Sequence, residues 1–216
     1  AKAPLEIYAR DFDGNGSLEA ILGYYQEGQL YPVAGRDMLL TQIRSWQRRF
    51  PDYHTYAQAT LGQLLEGVPT DSLLHYQATQ MASGLLYNEG NHIFTLQPLP
   101  VEAQISAVNA VVVEDINHDG LTDLILAGNH DDWEVETARN DAGIGLCLLG
   151  EEGRRFRPLS MEESGFFAAG YVQVLQKLRS AHGDDLLLVG KNQDTLQWFA
   201  LPEVPGSITL SSKGGP

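Results

Sequence analysis

The stretch "DFDGNGSLE" (residues 11–19) returns 104 residues later as "DINHDGLTD" (115–123), and each copy stands between two apolar runs. Both read D-x-[DN]-x-[DN]-G-x-x-[DE]. Oxygen-bearing side chains at positions one, three, five and nine, with glycine at six, make the chain turn sharply around a common centre. The flanking runs, "EIYAR" and "EAILGYY" in the first copy, "VVVE" and "DLILAGN" in the second, are short and rich in β-branched or aromatic residues. Each copy is therefore expected to form strand, loop and strand. A chain that repeats such a unit folds by repetition.

A degraded third copy, "VQVLQKLRSAHGDDLLLVGKN" (172–192), aligns with the second when Gly190 is set on Gly128, 62 residues earlier. Lys177, Arg179 and Ala181 then take three ligand positions and only Asp185 survives, so this loop is expected to be metal-free. Each unit also has a second half. "SGLLYNEGNHIFTLQPLP" (83–100) and "AGIGLCLLGEEGRRFRPLS" (142–160) each read as two strands around a Glu-Gly turn, and "DTLQWFALPE" gives the matching outer strand of the third unit. Repeated four-stranded antiparallel sheets of this period are the signature of propeller blades.

The first unit is longer than the second by roughly forty residues, judged against the repeat period usual for blades. "RDMLLTQIRSWQRRF" places Leu39, Ile43, Trp46 and Phe50 on one helical face, and Pro51 stops it. "YHTYAQATLGQLLEG" predicts a second helix with Tyr53, Ala57, Leu61, Leu64 and Leu65 on its apolar side. A helical hairpin covering one edge of the sheets is the plain reading. The expected fold is all-β: about three four-stranded antiparallel blades of propeller type, forming a partial propeller with a helical insertion in the first unit. Blade one occupies 1–34 and 71–105 around the insertion at 35–70, blade two 106–168, a degenerate blade three 169–206, and a flexible tail 207–216. Closed propellers have about four to eight blades, so the chain reads as a piece of a larger propeller, completed by further blades of a parent chain or by self-association.

The loops offer hard oxygen ligands: Asp11, Asp13, Asn15 and Glu19 in the first, Asp115, Asn117, Asp119 and Asp123 in the second. Calcium accepts six to eight such oxygens in irregular geometry, whereas magnesium demands an octahedron and zinc prefers thiolate or imidazole. An EF-hand needs a carboxylate at position twelve and flanking helices. Here position twelve is Leu22 or Leu126, and the flanks are strands. An ion-free turn rich in Asp and Asn is the competing reading. Mutual repulsion of the clustered carboxylates stands against it.

Acidic residues outnumber basic ones, 28 to 14, for a formal charge of −14, which excludes a phosphate-backbone partner such as nucleic acid. No apolar stretch is long enough to span a bilayer. One cysteine, Cys147, precludes an intrachain disulfide and reads as a small buried hydrophobe in "GIGLCLLG". Motifs of serine hydrolases, P-loop enzymes, zinc proteases and dinucleotide binders are missing, and Ser164 has no recognisable base near it in sequence. The acidic loop "GNHDDWEVETARNDAG" (128–143) is the remaining binding candidate. Trp133 would supply an aromatic platform, while His130, Asp132, Glu134 and Arg139 would supply polar contacts to a carbohydrate or protein. The bland alternative is a solvated acidic connection. His118, inside the second loop, is expected to face solvent.

The two loops between strands resemble the FG-GAP or VCBS-type repeat of integrin-α-like β-propellers, and residues 99–167 around the second loop resemble the C-terminal repeats of large bacterial VCBS-repeat proteins. That resemblance implies blades, calcium on the loop between a blade's first two strands, and a binding, adhesion or scaffolding role outside the cytoplasm, whether extracellular, periplasmic or at the cell surface. Carried over, it adds the carbonyls of Ser17 and Leu121 to the ligand sets above. Glu19 departs from the usual aspartate at position nine. Fold does not fix function, so a propeller-type hydrolase or lyase acting on carbohydrate or a similar polar substrate stays as the alternative.

Overall fold

A computed structural model describes residues 3–131, 138–203, 206–207 and 209–212. The chain divides into two compact units, Ala1–Met81 and Ala82–Pro216. The described structure is mostly β, in open antiparallel sheets of two to four strands.

In the first unit, β1 (Leu5–Arg10), β2 (Glu19–Gln26), β3 (Gln29–Pro32) and β4 (Leu74–Ala78) form one sheet in the order β3-β2-β1-β4. The β1–β2 ladder closes at Arg10 opposite Glu19, so the first acidic loop is its connection. Glu27 and Gly28 both adopt positive φ between β2 and β3, the backbone of a tight hairpin turn. One sheet face, through Tyr8 and Ile21, packs against the inserted helices: α1 (Arg36–Gln42), a 3-10 turn (Arg44–Arg48), α2 (Tyr53–Ala57) and α3 (Leu61–Leu64). Leu39, Ile43, Trp46 and Phe50 are buried there, on the face their spacing predicts. Gly23 lies so close under Leu61 that a Cβ would stand 2.7 Å from its Cδ2.

The insertion is four short pieces rather than the two helices expected. Asp52 caps α2 through the Thr55 N–H, and Thr60 with Gln63 forms a capping box that starts α3 afresh. That restart rotates the apolar face: Tyr53 and Ala57 are exposed, and Tyr56 and Ala59 are buried in their place.

The second unit contains a two-stranded sheet, β5 (Gly84–Gly90) with β6 (Ile93–Pro98), and two four-stranded sheets. The first of these is β7 (Val108–Glu114), β8 (Asp123–Gly128), β9 (Leu146–Glu151) and β10 (Arg155–Leu159), paired consecutively. The second is β11 (Val172–Arg179), β12 (Asp185–Lys191), β13 (Gln197–Ala200) and β14 (Ser211–Ser212), also consecutive. Val112, Ile125, Cys147 and Leu149 on one face of the β7–β10 sheet share a core with Leu175, Leu187, Val189 and Phe199. Its other face, through Leu124, Leu126 and Leu148, receives Leu85, Leu99 and Ala103.

Residues 83–100 do not complete the first sheet; they form the β5–β6 hairpin of the second unit. The first sheet is completed by β3 and β4 instead, because β3 follows β2 after only a two-residue turn and closes the shortest loop available. The third repeat also has a shorter turn than its ungapped alignment assumes. Its ladder closes at Arg179 opposite Asp185, so Lys177 lies on β11 opposite Leu187 and not in the loop. The Lys177 ammonium sits 2.8 Å from Glu114 and 3.0 Å from Asp185, tying the two four-stranded sheets together. Among the described residues no helix is long and apolar enough to cross a membrane.

Glu6 is a charged group inside the first unit, 1% exposed, on the helix-facing side of β1. Gln77 Nε2 donates to its Oε1 at 2.9 Å, Tyr25 Oη donates to the same oxygen at 3.2 Å, and His75 Nε2 meets Oε2. Tyr8 stacks on the His75 ring at 4.3 Å. Burial pushes the Glu6 carboxyl up, but the hydrogen bonds of His75, Gln77 and Tyr25 outweigh it and hold the group below its ordinary value. The stability this group contributes is thus present above the ordinary carboxyl value of 4.5 and is lost as pH falls below it. Urea unfolding followed from neutral to acid pH should show this loss, and Glu6→Gln should flatten that part of the profile. A profile identical in the two proteins would refute the assignment. Burial also pushes the Cys147 thiol up to about 12. A thiol reagent is expected to leave it unlabelled in native protein and to label it stoichiometrically in urea.

Candidate metal centre

The two acidic loops have nearly the same hydrogen-bond plan. In the first, Asp11 Oδ1 accepts from the N–H groups of Gly14 (2.6 Å) and Asn15 (3.0 Å), and Oδ2 from Gly16 (2.9 Å). In the second, Asp115 Oδ1 accepts from Asp119 (3.1 Å) and Oδ2 from Gly120 (2.9 Å). Position five repeats the device: Asn15 Oδ1 accepts from Ser17 at 2.7 Å, and Asp119 Oδ1 from Leu121 at 2.7 Å. Position nine, the first residue of the next strand, reaches back to position two. Glu19 Oε2 accepts from Phe12 N at 2.9 Å, and Asp123 Oδ2 from Ile116 N at 2.8 Å. Left-handed backbone falls at the same places, at Gly14 and Gly16 in one loop and His118 and Gly120 in the other. The N–H groups holding Asp11, Gly16 foremost, keep its carboxyl below the ordinary range against a smaller opposing effect of burial.

The loops differ at position nine. Asp123 is fully buried, and its second oxygen accepts from Gly150 N at 2.7 Å, so both oxygens are committed to backbone. Glu19 is one methylene longer, is 7% exposed, and brings a carboxylate oxygen to Asp11 and Asp13. Ligand atoms of those three residues lie within 4.8 Å of one another, and among the described residues no other such group of three forms. In the second loop Asp119 Oδ2 is further occupied by Asn117 Nδ2 at 2.8 Å. The departure from aspartate at position nine thus marks the loop whose carboxylates converge. Burial raises the Asp123 carboxyl above its ordinary value, with Asp119 and Asp115 adding to the rise against the opposing N–H groups of Gly150 and Ile116. His118 is exposed as expected, its Nε2 also lies 3.2 Å from the Pro202 carbonyl, and Gly206 N donates to the Asn117 carbonyl at 2.7 Å.

Of the acidic candidate loop, Asp132, Trp133 and Glu134 lie outside the described residues. His130 pairs with Asn140 across an antiparallel bridge and sits 5.0 Å from the Tyr171 ring, while Arg139 is exposed. The residue that organises the loop base is Asn129, which sequence reasoning passes over. It is 1% exposed, and its amide makes four hydrogen bonds: from Ser106 Oγ and Gly143 N, and to the carbonyls of Gly143 and Gly170. An asparagine can make no more than four such bonds. Its place directly after Gly128, where a Cβ would stand 1.8 Å from the Ala107 carbonyl oxygen, is the one signal that could have found it.

Removing the Asp123 carboxylate strands two backbone donors at once, Ile116 N and Gly150 N. Asp123→Ala is expected to destabilise the second unit by about 2–6 kcal/mol, at ~1–3 kcal/mol for each stranded buried donor. Denaturant unfolding measures it, and a loss below about 1 kcal/mol would show that those donors find water.

No protein-family model, no curated protein and no solved structure matches the chain.

Proposed function

We propose that the chain is a non-catalytic, calcium-stabilised module of propeller-blade repeats that binds a protein or carbohydrate ligand outside the cell. The observation that carries the reading is the convergence of Asp11, Asp13 and Glu19 in a loop whose backbone plan recurs in a second sheet. Three carboxylates drawn together in this way repel one another, and a hard divalent cation turns that repulsion into attraction. The ligand oxygens come from a strand end and a turn of the same unit, so binding joins β1 to β2 and its free energy adds to folding. Asp11 is half-buried and Asp13 is exposed, which suits the weak affinities, about 10⁻⁴–10⁻³ M, of modules that work in calcium-rich extracellular fluid.

Binding is favoured over catalysis by the character of the cavity in the second unit. It has a volume of about 240 Å³ and walls of Ala103, Leu126, Ile144, Leu159 and Phe166, with Ser106 and Ser164 among its polar groups. Glu102 is the acidic group of a mainly apolar lining and no basic side chain faces it there, so the hollow suits a ligand better than acid–base chemistry.

Thermal unfolding in excess calcium, in excess magnesium and in EDTA tests the reading. Calcium at a hundredfold excess over its dissociation constant contributes about 2.7 kcal/mol. The midpoint of the first unit is then expected to rise by about 10 °C or more. Magnesium should do less, Asp11→Ala should abolish the rise, and Asp115→Ala should leave most of it. A midpoint indifferent to all three conditions would make the loops plain turns.

A further inference from the structure

Asn15 and Gly16 form the one Asn–Gly step in the chain. Three asparagines hold their side chains in the same turn, each Oδ1 accepting from the N–H two residues ahead. The donors are Ser17 to Asn15 at 2.7 Å, Asp119 to Asn117 at 3.1 Å and Gly90 to Asn88 at 2.9 Å. This turn closes a ring around the intervening peptide nitrogen and folds the side-chain carbonyl back across it. The donated N–H also polarises the carbonyl and would stabilise negative charge on its oxygen. Behind Asn117 and Asn88 stand His118 and Glu89, each with a Cβ beside that nitrogen where glycine has none. Behind Asn15 stands a glycine at φ +88 with nothing within 4 Å of where a Cβ would be. Asn15 and Gly16 are both exposed, so water can enter and ammonia can leave.

We propose that Asn15 is a self-modification site, at which the Gly16 nitrogen displaces the side-chain amide in the folded loop. The Gly16 nitrogen bonds to Asn15 Cγ, the Cγ–Nδ2 bond breaks, and Nδ2 departs as ammonia with the proton that Gly16 gives up. Asp11 Oδ2, 2.9 Å from the Gly16 nitrogen, is placed to relay that proton. One water then opens the five-membered imide. Opening on one side gives aspartate at position five, the residue the second loop carries there as Asp119. Opening on the other gives isoaspartate, which routes the main chain through the side-chain carbonyl and lengthens it by one carbon. The first product adds a carboxylate to the Asp11, Asp13 and Glu19 group. The second pulls apart the N–H groups of Gly14, Asn15 and Gly16 that hold Asp11. No oxidant or reductant takes part.

The test incubates native full-length protein at neutral pH in EDTA, so the result does not depend on any cation. Samples are digested at intervals and mapped by mass spectrometry, and isoaspartate is assayed separately. The peptide 11–36, released by cleavage after Arg10 and Arg36, is expected to gain the mass of an amide-to-acid exchange and to test positive for isoaspartate. Its rate should exceed those at Asn117 and Asn88 by about tenfold or more, the scale of a small difference in activation barrier. Asn15→Gln, which would need a six-membered ring, should abolish the exchange in that peptide. The proposal is overturned if native Asn15 stays intact, if Asn117 or Asn88 reacts as fast, or if Asn15 reacts only after unfolding in urea.

Discussion

Everything specific about this chain rests on a carboxylate at the start of a strand reaching back across a loop to the backbone of the strand before it. Glu19 does this to Phe12 and Asp123 to Ile116, and each thereby fixes where its β-ladder closes. A β-hairpin with an eight-residue loop has a large closure entropy and no intrinsic register. The first and ninth loop positions supply both constraints, one by gathering N–H groups within the loop and the other by clasping its ends. The third repeat has dropped the clasp. Its turn is shorter, held by Ser180 Oγ accepting from His182 and Asp184.

The first loop was legible in the sequence because its hydrogen bonds are local. Asp11, Asp13, Asn15 and Glu19 lie within nine residues, and their hydrogen bonds span no more than seven. The buried face of the insertion was legible for the same reason, since Leu39, Ile43, Trp46 and Phe50 keep helical spacing. Features decided by a distant partner were not legible. Asp123 and Glu19 occupy one position in one motif, yet Gly150, 27 residues away, claims the second oxygen of Asp123 and nothing in the motif announces it. The assignment of 83–100 to the first sheet failed similarly: two hairpins of similar pattern competed for one sheet edge, and chain proximity favoured β3. Asn129 escapes a sequence reading because glycine and asparagine after a strand also spell an ordinary turn, and only its four buried partners distinguish it.

Charge is handled in three ways in this acidic protein. Glu6 is buried among neutral or switchable donors, and Asp185 and Glu114 share the Lys177 ammonium. Asp11, Asp13 and Glu19 are gathered around backbone N–H groups instead, three carboxylates in one small space. The first two arrangements are complete within the protein. The third is the arrangement that the proposed cation would complete, and on that proposal the external medium has a voice in how firmly the first unit holds.

By register, Tyr8 and Ile21 in the first unit correspond to Val112 and Ile125 in the second. On the second sheet that face meets another sheet; on the first it meets helices encoded between β3 and β4. An insertion has thus converted a surface that repeats ordinarily offer to a neighbour into one the unit covers for itself. A repeat with its own lid is released from the stacking rule that binds its kin. Its helices keep that face dry with no second sheet laid against it.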